Sequence, residues 1–107
     1  MDVFIAHSGT YALIMNRLGI KQVLENWYVF VASQNIFVME YIISIEQAIK
    51  HLVQVSQIDD TDLLIIDRYS RGYSLSEISQ TLGISRQAVS KRFDRVTDLM
   101  LLELGDG

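Results

Sequence analysis

The 107-residue sequence predicts an all-α protein, a helical N-terminal segment followed by a C-terminal helix-turn-helix. Three observations carry this expectation. Proline is absent, which removes the strongest helix breaker. Apolar residues recur at spacings of three and four, the repeat of one helical face. Hydroxyl, amide and acidic residues stand where helices would begin, and glycines where several would end.

Composition bounds the rest. Half the residues are hydrophobic and 21% are charged, too apolar for a disordered chain. No cysteine is present, which excludes disulfides and thiolate metal sites. His7 and His51 lie far apart in sequence, so neither a metal nor any other cofactor is expected. The longest stretches free of charge, Val3 to Asn16 and Asn26 to Met39, fall short of the roughly 20 residues of a bilayer span. Nothing at the start resembles a secretory signal. A soluble, cytoplasmic protein without a membrane partner is the expectation.

The mostly polar stretch after Val55 divides the chain into residues 1–57 and 58–107. In the first part, Ser8 or Thr10 is placed to cap a helix from Tyr11 to Leu18, with Gly19 as its stop. A second helix is expected from Ile20 to about Ala32, and a third from Asn35 to about Gln54. The third carries Val38, Ile42, Ile45, Ile49 and Leu52 on one side. Trp27–Val31 and Ile36–Val38 are also rich in aromatic and β-branched residues, so a hairpin turning at Ser33-Gln34-Asn35 competes with this reading. Helix is favoured because the pattern after Asn35 runs too long for a strand.

The second part is more sharply punctuated. Asp59 to Thr61 begin a helix with Leu63, Leu64, Ile65, Ile66 and Tyr69 as apolar positions, ending near Ser70 to Gly72. Ser74-Leu75-Ser76-Glu77 fits a capping box, opening a helix from Leu75 to Leu82 that buries Leu75, Ile78 and Leu82. Gly83 stops it. Ser85 caps a last helix from Arg86 to about Leu102. Its positions Val89, Phe93, Val96 and Met100 fall within about 60° of one another on a helical wheel, a single narrow face.

The last two helices meet the physical demands of a helix-turn-helix. Gly83 tolerates positive φ in the turn. Leu82 and Ile84 flank it, Val89 supplies a buried position five residues after Ile84, and Ser79 is small where the helices approach. Its hydroxyl is expected to bond the Leu75 carbonyl. A second such motif at Leu18-Gly19-Ile20 fails, because Glu25 occupies the position that must be buried.

Residues 60–104 resemble region 4 of the bacterial sigma factors and the related LuxR-type output domains. The resemblance lies in LLIIDRYSRGYS, SLSEISQTLGIS and SRQAVSKRFDR, and stops short of residues 1–57. Many such motifs carry an aliphatic residue where this chain has Arg92, and Phe93 is the expected replacement in the packing. The resemblance implies duplex DNA binding. It also implies an alternative, a protein-binding module that contacts RNA polymerase or a sigma factor.

Opposite Val89, the start of the last helix offers Gln87, Ser90 and Lys91 outward. A recognition helix presents such N-terminal residues to base edges in the major groove, where glutamine suits adenine and lysine or arginine suits guanine. Ser85 and Arg86 lie at the helix start, which favours a phosphate. Arg71, Ser74, Arg92 and Arg95 complete the expected DNA-contacting set. Asp94, also outward, has the wrong sign for a phosphate. The chain's net charge of −4 is unevenly spread: residues 68–95 carry +4 and the remainder −8. A local basic patch is what phosphate contact requires.

No phosphate-binding glycine loop and no nucleophile with a plausible base is present, so no enzymatic activity is expected. His51 is expected as a surface or packed residue rather than a ligand, and His7 is given no role. A transcriptional regulator of a bacterium or its phage is the resulting expectation. One motif reads few bases, so a homodimer on a palindromic site is expected, with Trp27, Phe30, Phe37 and Tyr41 as its interface.

Overall fold

The computed structural model describes residues 16–106, and the expected helix from Tyr11 to Leu18 lies mostly outside them. The described residues form six helices and no strand. These are α1 (Arg17–Glu25), α2 (Trp27–Ser33), α3 (Ile36–Gln54), α4 (Asp60–Ser70), α5 (Leu75–Leu82) and α6 (Arg86–Asp106).

Local side-chain chemistry sets most of the boundaries. The Asn16 side chain accepts from the Gly19 amide at 2.7 Å, so Gly19 lies in the first turn of α1 and does not end a helix. Asn26 interrupts what reads in sequence as one helix. Its amide and side chain both donate to the Gln22 carbonyl, closing α1 before α2 begins. The hairpin reading of residues 33–35 gives way to a helix–helix corner. Gln34 adopts a left-handed conformation (φ 55°), and the Asn35 carboxamide caps α3 by accepting from Phe37 and Val38. α3 then runs for 19 residues.

The C-terminal punctuation matches its sequence signals. Asp59 and Asp62 form a reciprocal capping box at α4, and Ser74 and Glu77 form another at α5. Gly83 sits at φ 71° with open space where a Cβ would project, so conformation rather than crowding calls for glycine there. Ser85 Oγ accepts from the Ala88 amide at 3.0 Å and caps α6, which extends to Asp106 rather than ending at Leu102. The Ser79 hydroxyl bonds the carbonyl of Ser76, not that of Leu75.

Helix α6 is the hub. It packs against α1, α3, α4 and α5. Val89, Phe93, Val96 and Met100 are all buried, the single face that their spacing predicts. One apolar cluster joins them to Ile20, Val23 and Leu24 of α1, Ile45, Ala48 and Leu52 of α3, Ile65 and Ile66 of α4, and Ile78 of α5. The core therefore draws on both sides of residue 57. Phe93 is buried and stacks at a tilt on Tyr69, 4.4 Å between ring centres. No helix among the described residues is long and apolar enough to cross a membrane.

Candidate nucleic-acid interface

The turn at Gly83 sets the start of α6 against α5 and leaves its outer face open. Gln87 and Lys91 are exposed, opposite the fully buried Val89. Arg86 is exposed as well, and Ser90 is half-buried. Ser85, Arg86, Gln87, Ser90 and Lys91 thus gather on the first two turns of one helix. Neither Gln87 nor Lys91 has a side-chain partner among the described residues.

Beyond Lys91 the same face is occupied. Asp94 and Asp98 fall within about 60° of Gln87 and Lys91 on the helical wheel. α1 reaches across to both: Lys21 Nζ donates to Asp94 at 3.0 Å, and Arg17 binds Asp98 through two nitrogens, the closest contact being 2.6 Å. Arg17 also lies 3.9 Å from Asp94. Lys21 additionally stands over the Phe93 ring, 5.4 Å from its centre. Both acidic residues on this face of α6 are therefore paired with cations of α1. Sequence reasoning did not find Arg17 and Lys21, because their partners lie 73 to 81 residues away.

The opposite flank of α6 is tied to the start of α4. The Asp62 side chain is completely buried and meets two guanidinium groups. Arg92 donates to Asp62 at 3.1 Å and to both Asp59 oxygens at 3.2 Å. Arg95 donates to Asp62 Oδ2, and to the Gln57 carbonyl at 2.9 Å. The same Asp62 oxygen accepts the Asp59 amide. Arg92 and Arg95 are thus held by an acidic pair and stand apart from the group at the helix start. A usable signal lay in the sequence. Asp62 shares the α4 face of Ile65, Ile66 and Tyr69, and an acid on a core face calls for cations.

The remaining expected residues are placed as follows. Arg71 ends α4, with its Nε donating to Asp67 at 3.0 Å and its guanidinium 5.6 Å from the centre of the Tyr28 ring. Ser74 caps α5. His51 pairs with Glu103 at 2.7 Å, joining α3 to α6. Trp27 and Phe30 pack against the core cluster, while Phe37 is exposed and Tyr41 half-buried. Among the described residues no cluster of His, Cys, Asp or Glu suits a metal ion. His7 lies outside them.

The two capping boxes make the fold acid-sensitive. The Asp62 backbone amide, and then Arg92, hold the Asp59 carboxyl below its ordinary range, against the opposing effect of burial. The Ser74 amide and hydroxyl do the same for Glu77. A carboxyl whose folded-state value is depressed stabilises the fold above its unfolded value, roughly pH 4. That contribution disappears as pH falls through the folded value. Urea midpoints are therefore expected to drop below about pH 4. Asp59→Asn with Glu77→Gln should flatten that decline.

Residues 59–97 match the family model described as Sigma-70, region 4. The match begins at the α4 cap and ends within α6, after both clasps of α6 that involve Asp62 and Asp94. No curated protein and no solved structure matches the chain. Residues 59–97 are a sigma region 4-like helix-turn-helix segment, a DNA-binding module of that type.

Proposed function

We propose that the protein is a sequence-specific duplex-DNA-binding transcriptional regulator whose α6 enters the major groove by its first two turns. One observation carries the reading: Gln87 and Lys91 stand exposed and without side-chain partners, while farther along the same face of α6 the side chains are engaged by α1. In this reading Gln87 and Lys91 meet base edges, with Ser90 beside them. Arg86, the α6 N-terminus capped by Ser85, the α5 N-terminus capped by Ser74, and Arg71 meet phosphates. Arg92 and Arg95 act as positioning residues, because Asp59 and Asp62 already hold them.

A single motif of this size reads few base pairs, so we read the regulator as acting in two copies on a palindrome. The testing experiment is selection of bound duplexes from a random pool at fixed salt. The reading predicts enrichment of a short, two-fold symmetric site. Absence of any enriched sequence would contradict it. Sigma region 4 domains also bind RNA polymerase, which supplies the second reading. Under that reading the protein captures polymerase or a sigma factor equally well with or without Gln87 and Lys91, and selects no duplex.

A further inference from the structure

The core stripe of α3 leaves a second stripe on its flank. Ile36, Met39, Ile43, Glu46, Lys50 and Val53 alternate at spacings of three and four, and they span about 100° of the helix. That spacing is the a/d seam of a coiled coil. Ile36, Ile43 and Val53 are exposed, at 69%, 49% and 41%. Two surface depressions run along the seam. Ile43, Glu46, Gln47 and Lys50 line one, and Glu46, Ile49, Lys50 and Val53, with Gln54, line the next. Each set of four has the register of a hole that receives one knob from a facing helix.

We infer that residues 43–53 of this stripe pair with the same residues of a second copy, the two α3 helices running antiparallel about a two-fold axis near residue 48, with Ile36 and Met39 beyond the paired segment. The charges choose both the occupant and the direction. Glu46 and Lys50 have no ion-pair partner among the described residues. Antiparallel pairing sets Glu46 against the partner's Lys50 twice over, and Ile43 against the partner's Val53 twice over. A parallel pair would stack Glu46 on Glu46 and Lys50 on Lys50, which repels. The surface is therefore complementary to itself in one orientation only, as a two-fold interface requires. It is a different face from the one bearing Phe37 and Tyr41. The inference deepens the two-copy reading above, and its test needs no DNA, so either can fail without the other.

The test is molar mass in solution across a dilution series. The unmodified chain should form a concentration-dependent dimer. Glu46→Lys places four positive charges together and should weaken dimerisation at least tenfold. The double variant Glu46→Lys with Lys50→Glu restores both pairs and should restore the dimer. Glu25→Lys makes the same charge change on the exposed surface of α1, away from the stripe, and should leave the dimer intact. Circular dichroism checks that all variants stay folded. A chain that stays monomeric at every concentration overturns the inference, whatever else meets the stripe. A dimer that Glu46→Lys leaves unchanged also overturns it.

Discussion

Replacing Arg92 and Arg95 together with alanine is expected to destabilise the protein by about 3–5 kcal/mol, the usual effect of stranding a buried charge. Asp62 is 1% exposed, and after the change it would keep only the Asp59 amide. Total stability of a domain is about 5–15 kcal/mol, so this loss would leave a measurable unfolded fraction under mild denaturant. Each single replacement should do less, because the other arginine remains on Asp62 and both guanidiniums keep an edge in water. Adding Asp62→Asn to the double variant should recover part of the loss, since a neutral amide no longer needs the cations. Urea midpoints check all four proteins. A double-variant loss below about 1 kcal/mol, in the range of an exposed pair, would show that Asp62 is not a stranded charge.

Replacing Gln87 and Lys91 with alanine should produce the reverse pattern, with DNA affinity lost and stability kept. Both side chains are exposed, and alanine sustains a helix at least as well. A side chain that reads a base edge is worth about 1–3 kcal/mol of discrimination, so Gln87→Ala should relax selectivity at one position of the site. Arg86→Ala, which removes a phosphate contact in this reading, should lower the slope of log affinity against log salt by about one. Losing selectivity and salt dependence separately distinguishes the two roles. Unchanged retardation of the selected duplex by the double variant would remove the start of α6 from the DNA interface.

How much of this was legible in the sequence depended on the range of the interactions. Capping is local. Ser74 with Glu77 and Asn35 ahead of Ile36 mark helix starts, and Gly83 marks a stop, each within a few residues of its partner. The buried face of α6 follows from spacing alone. α1 and α2 were harder to read. Gly19 looks like a terminator, yet Asn16 recruits its amide into a first turn. Gln34 takes a left-handed conformation that its residue type does not announce. The site divides the same way. Its exposed residues follow from the helical wheel around Val89. The residues that hold α6 in place do not, because Arg17 and Lys21 come from a part of the chain outside the resemblance to region 4. Arg92 and Arg95 look like DNA contacts by charge. The fold shows that Asp62, an acid on the core face of α4, engages both of them.

The account rests on the start of α6, and not its middle, meeting DNA. Amide chemical-shift changes on adding the selected duplex to the labelled protein test this most directly. Large changes are expected from Ser85 to Lys91 and at the Ser74 cap, with small ones around Asp94, Asp98 and the outer stripe of α3. Changes centred on α3 or α1, with Gln87 and Lys91 unmoved, would contradict it.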